Sequence, residues 1–133
     1  MFIMKESYTD LVCIMRGDGR KINEVLRFIV ENSLISWGQF EVISKRREGG
    51  RHLDGRSRGA YYRLLEQSRA KIRAVIYSIL LLQLMGLIDE QGMTIIDRVA
   101  RQVAVTQGSD VDEGTAGDVI RVMEELIRRL SKI

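Results

Sequence analysis

The amino-acid sequence predicts a mainly α-helical fold: a single compact domain, residues 1–133, of about five helices around one long central helix. Three observations predict it. Apolar residues recur at spacings of three and four through most of the chain, the period of one helical face. No proline occurs, so no segment loses a backbone N–H from a helical ladder. The 133 residues, 45% hydrophobic and 29% charged, have a globular composition and suffice for one core.

Residues 7–15 fit two states. Leu11, Val12, Ile14 and Met15 suit a short helix, whereas Tyr8, Val12 and Ile14 alternate well enough for a strand. Arg16-Gly17-Asp18-Gly19 reads as a turn. The first strongly periodic helix covers 21–32, with Ile22, Val25, Leu26, Ile29 and Val30 on one stripe, and Asn32-Ser33 ends it. Ser36 with Gln39 three residues on is a capping-box pair. It opens a second helix over 37–47 that buries Phe40 and Ile43, with Trp37 near its start. The short link makes 21–47 an αα unit, the opening of many helix-turn-helix domains.

Residues 49–55 read as a glycine-rich loop, and Ser57 can cap the next helix. From 57 to 85 the chain is helical almost without interruption, through Leu64, Leu65, Ile72, Val75, Ile76, Ile79, Leu80 and Gln83. This makes a helix roughly 40 Å long, with a break near Ser68 as the alternative. Its first half is amphipathic and basic. Residues 75–85 are apolar on nearly every side, which predicts burial all round or a subunit interface.

Gly86 stands where a C′ glycine belongs, and Asp89-Glu90-Gln91-Gly92 reads as a turn. Two continuations fit. Residues 93–96 can form the return strand of a small β-hairpin near 87–96, or Thr94 can cap a helix. The preferred reading is a helix over about 95–105, with Ile96, Val99, Ala100 and Val103 inward and any hairpin confined to 87–94. An acidic loop comes next over 106–117. Thr115 and Asp118 mark a cap, and a final helix over 117–132 sets Val119, Ile120, Val122, Met123, Leu126, Ile127 and Leu130 on one broad face. Arg128, Arg129 and Lys132 in its last turns suit the helix dipole.

Charge is concentrated in one place. Residues 45–73 hold ten Lys/Arg against three acids, a local charge of +7, while the whole chain is +3, so the remainder is −4. An Arg-dominated block with glycines and tyrosines is the footprint of a polyanion-binding surface. Glycines let the backbone approach phosphates, a helix N-terminus favours anions, and tyrosine can hydrogen-bond phosphate or stack on bases. Ion pairing along the helix, with Glu66 against Arg63 and Arg69, is the competing structural explanation.

Other chemistries find little support. Gly50-Arg51-His52-Leu53-Asp54-Gly55-Arg56-Ser57 has the spacing of a phosphate loop, but Arg56 replaces its Lys. The preceding Lys45-Arg46-Arg47-Glu48 is no buried strand, and the chain lacks an alternating strand–helix pattern. His52, the only histidine, sits in a Gly/Arg loop and has no catalytic partner. Cys13, the only cysteine, excludes an intramolecular disulfide and, with His52, is too little for a zinc site. No carboxylate pair or nucleophile–base pair stands out. No catalytic residue, metal or cofactor is therefore expected. Lys5 and Glu6 come directly after the apolar first residues, so no signal-peptide core is expected. The longest apolar run, 79–82, falls far short of the roughly 20 residues a bilayer requires. A soluble, cytoplasmic protein without a membrane partner is expected.

The order helix, tight turn, helix, long basic helix, then Leu80-Leu81-Leu82-Gln83-Leu84-Met85-Gly86-Leu87-Ile88 before a turn at Gly92, resembles a winged helix-turn-helix DNA-binding domain over about residues 20–96. That resemblance implies DNA contact from the front of the third helix, by Arg58, Tyr62, Arg63 and Arg69, with Gln91 near the tip of a wing. Winged helices also serve as protein-interaction modules. Charge and resemblance together give a candidate nucleic-acid-binding set of Arg46, Arg47, Arg51, Arg56, Arg58, Tyr62, Arg63 and Arg69. They favour a non-catalytic, homodimeric DNA-binding transcriptional regulator, duplex DNA ahead of RNA, with the apolar end of the long helix or helix 117–132 at the dimer or partner interface. The alternative is an all-helical protein–protein interaction subunit of a larger assembly.

Overall fold

The structure is a computed structural model that describes residues 24–47, 49, 55–107 and 113–133. These residues are mainly α: five helices, 84% helical, and no strand. In chain order the helices are α1 (Glu24–Asn32), α2 (Trp37–Arg47), α3 (Arg58–Leu84), α4 (Glu90–Gln107) and α5 (Glu113–Leu130). Segment 7–15, the turn at 16–19, Cys13 and the beginning of the expected first helix lie outside the described residues.

The helix boundaries follow from local hydrogen bonds. The Ser36–Gln39 capping box is reciprocal: the Gln39 N–H donates to Ser36 Oγ at 3.2 Å, and the Ser36 N–H donates to Gln39 Oε1 at 3.0 Å. Ser57 is the N-cap of α3, its Oγ accepting from the Ala60 N–H at 3.1 Å. α3 runs unbroken through Ser68, so the alternative break does not occur. The buried Ser68 hydroxyl donates to Leu64 O at 2.7 Å, which satisfies it without opening the ladder. The helix closes on a Schellman motif. Gly86 takes φ +76°, its N–H donates to Gln83 O at 3.0 Å, and the Leu87 N–H donates to Leu82 O at 3.0 Å.

The segment after Gly86 departs from expectation. There is no hairpin over 87–96 and no turn at Gly92; α4 begins at Glu90. Asp89 is the reason. Its Oδ1 accepts the Gly92 N–H at 2.8 Å, while its carbonyl accepts the Met93 N–H at 3.0 Å. The apparent turn dipeptides are thus a cap and a first helical turn. Gly92 is there for packing. A Cβ would stand 3.2 Å from Ile88 Cγ2 and 3.3 Å from Leu130 Cδ2. Thr115 and Asp118 likewise mark no cap, because α5 has already begun at Glu113.

Two small cores organise the helices. One joins α2 to α3 through Val42, Tyr61 and Leu65, with Leu64 against them. The other joins α1, α4 and α5 through Val25, Val103, Ala116 and Met123, with Phe28, Ile29, Val99, Val119 and Ile120 packed around. α1 packs chiefly on α5 and also touches α2 and α4, so it links the two cores. α5 returns antiparallel along α4: Leu130 near its end meets Gly92 at the start of α4.

Two expected core assignments are corrected. On α2 the deepest apolar side chain is Val42, 2% exposed, while Phe40 and Ile43 are half-buried. On α4, Val103 and Ala104 are buried, but Ile96 and Ala100 face out. On α5, Val122 and Ile127 are exposed, because the seven-residue apolar face is broader than the surface α1 and α4 offer it. A further outcome matters more. The buried residues of α3 are Tyr61, Leu65 and Ser68, all in its first half. Val75, Ile79 and Leu82 are only half-buried, and the opposite side carries Tyr77 at 71% and Leu84 at 78% exposure. The all-round burial expected for 75–85 is not provided by the described residues.

Candidate nucleic-acid interface

The basic residues come from two helix termini that meet at the α2–α3 core. α2 ends in Lys45, Arg46 and Arg47, where cations offset the negative end of the helix dipole. Gly55, at φ +79°, turns the chain into Arg56 and Ser57. α3 then starts with Arg58 and has no acid in its first turn. Cations at a positive helix end are unfavourable unless an anion joins them. Arg51 and His52 lie outside the described residues, as does most of the phosphate-loop-like segment. That segment is preceded by the helix α2, not by the strand a phosphate loop requires.

The seven candidate side chains among the described residues divide by surroundings. Arg56 bridges to Glu41 Oε2 at 3.2 Å and so ties the α3 entry to α2. Arg69 is paired with Glu66 one turn earlier, as the structural explanation anticipated. Glu66 does not pair with Arg63. Arg46, Arg58 and Arg63 are exposed, and among the described residues no carboxylate lies within ion-pair distance of them. Arg47 is exposed at the α2 terminus. Tyr62 is 40% exposed, its ring edge-on to buried Tyr61 with centroids 5.3 Å apart and planes at 78°. That contact fixes the Tyr62 ring while leaving one side of it in solvent.

Helical spacing makes these side chains a stripe. Arg58, Tyr62, Glu66, Arg69 and Arg73 succeed one another at three or four residues, hence on one face of α3, and all are exposed. Arg63 flanks it. Arg73 was missed as a candidate, although its position four residues after Arg69 signals it. Beyond Arg73 the same face continues as Ile76, Tyr77, Leu80, Leu81 and Leu84, all exposed. One solvent-facing stripe therefore changes from basic to apolar along a single helix. Gln91, expected at a wing tip, instead lies exposed in the first turn of α4.

A groove of about 240 Å³ between α4 and α5 is lined by Val99, Val103, Val119, Val122, Met123 and Leu126, with Gln102 and Asp118. Its one carboxylate, Asp118, is paired with Arg121 at 2.5 Å. Among the described residues no three His, Cys, Asp or Glu side chains cluster to hold a metal, and no helix is long and apolar enough to cross a membrane. The chain matches no protein-family model, no curated protein and no solved structure.

Proposed function

We propose that the chain binds nucleic acid, duplex DNA ahead of RNA, as a homodimeric, non-catalytic transcriptional regulator acting in the cytoplasm. The observation that carries this reading is the exposed basic stripe on the first half of α3 beside the basic end of α2. Arg46, Arg58 and Arg63 are exposed and no described carboxylate lies within ion-pair distance of them, which supports an external anion as their partner. Arg47 and Tyr62 extend the surface, and Arg51 comes between the two helices in the sequence. Arg56 and Arg69 contribute to the field of the surface while holding Glu41 and Glu66.

About four to six phosphate contacts give a log–log salt dependence of binding with a slope near −4 to −5. Fluorescence anisotropy with a labelled duplex across a salt series measures it. Arg58→Glu with Arg63→Glu is expected to weaken low-salt affinity at least tenfold and to lower the slope by about two. Absence of duplex binding at low salt contradicts the reading.

The second reading, an interaction subunit of a larger assembly, is favoured by the exposed apolar half of α3 and by Val122 and Ile127 on α5. It predicts no salt-dependent duplex binding.

A further inference from the structure

We propose that the second half of α3 is the two-fold interface of a homodimer, in which two copies pair antiparallel and cross between Leu80 and Leu81. Ile76, Tyr77, Leu80, Leu81, Leu84 and Met85 are each half or more exposed. Six large apolar side chains exposed together on one helix segment make a patch of the kind that marks an interaction surface, whereas singly scattered ones would need no explanation.

The pattern is self-complementary. About a point between Leu80 and Leu81, a two-fold sets Leu80 against the second copy's Leu81, Tyr77 against its Leu84, and Ile76 against its Met85. These six positions form two rows at four-residue spacing on one helix face. No charged residue occurs from 74 to 88, so two copies of the segment meet without like-charge repulsion. The Ser78 hydroxyl on the flank donates to Ala74 O at 2.8 Å and brings no unsatisfied group to the contact.

The charges at the two ends choose the direction. Lys71 and Arg73 precede the apolar segment, and Asp89 and Glu90 come after it. An antiparallel pair brings the basic end of each copy beside the acidic end of the other. A parallel pair stacks like on like, which costs free energy at each end. A lipid surface suits this face less well, because an interfacial helix draws on cations along its polar face, whereas here one end is acidic. In this register the second copy's α3 ends opposite Tyr77, and Arg58 and Arg63 stay uncovered. The interface supplies the dimer of the DNA-binding reading and rests on it in choosing a second copy, but its test reads mass and not nucleic acid.

Light scattering of the full chain at micromolar concentration is expected to give twice the 15.2 kDa chain mass. Leu81→Glu changes an exposed side chain, so its circular dichroism is expected to match the parent while its dimer dissociates at least ten times more readily. Tyr77→Arg provides the same test at a second site. Arg73→Glu and Glu90→Arg are each expected to weaken the dimer several-fold, and the two together to restore it. A monomer in the parent chain overturns the proposal, as does a dimer indifferent to Leu81→Glu and Tyr77→Arg. Mass growing beyond two chains excludes two-fold closure, and a charge-exchanged variant weaker than either single one excludes the antiparallel direction. If the dimer forms and duplex binding fails, only the nucleic-acid reading is lost.

Discussion

Tyr61 shows that residue type alone does not place a side chain. It sits beside Tyr62 in a basic segment, where tyrosines are natural phosphate or base partners, yet it is 1% exposed and forms the α2–α3 core with Val42 and Leu65. Its hydroxyl is buried and has no hydrogen-bond partner among the described residues. A buried, unpaired hydroxyl costs roughly 1–3 kcal/mol of desolvation. Tyr61→Phe is therefore expected to leave stability unchanged or raise it by about 1 kcal/mol, measured by urea unfolding. A loss above that size means the hydroxyl has a partner. Tyr62, one residue later, is turned about 100° round the helix and faces solvent. Arg56 and Arg58 divide in the same way: the first spends its guanidinium on Glu41, and the second faces out.

At the scale of elements, α5 gives a test of local propensity. Gly117 lies inside the helix, exposed, and a Cβ there would meet nothing within 4 Å. Gly117→Ala should stabilise the fold by about 0.5–1 kcal/mol, since alanine loses less backbone entropy in a helix. Thermal unfolding measures it, and an unchanged or lower midpoint contradicts the assignment of 117 to a helix interior.

The helices also differ in how far their sequences conveyed them. The stripe Val25, Leu26, Val30, the Ser36–Gln39 box, the Ser57 cap and the Gly86 terminus were all legible, because each depends on contacts within a few residues. The start of α4 was not. Asp89 with Gly92 three residues on has the composition of a turn, and the close approach of Ile88 and Leu130 explains a glycine inside the first helical turn. The inward face of α4 was misjudged for a related reason. Which part of a broad apolar face is covered depends on where α1 lies, a long-range fact that periodicity does not contain. In the candidate interface, the density of arginine was legible. Its division into residues that pair with Glu41 or Glu66 and residues that do not required the geometry, and Arg51 lies outside the described residues.

At the scale of the whole molecule, α3 is one element with two surfaces. Its first half is anchored by α2 through Tyr61 and Leu65, and presents arginines outward. Its second half leaves the core with its apolar side uncovered. The sequence predicts either burial or an interface for that half, and the described residues do not bury it. A helix face this apolar is a poor solvent surface. The proposed antiparallel dimer would cover it and leave the basic halves at opposite ends of the assembly. Two linked basic surfaces bind one polyanion more tightly than either does singly, provided the ligand can reach both. The central claim is that the basic half of α3 engages the phosphates of a duplex. Its most direct test is duplex-binding affinity measured across a salt series for the parent chain and for Arg58→Glu with Arg63→Glu. The account predicts a slope near −4 to −5 for the parent, lowered by about two in the variant with at least a tenfold loss at low salt. Undetectable binding at low salt, or the same affinity and slope in both proteins, would contradict it.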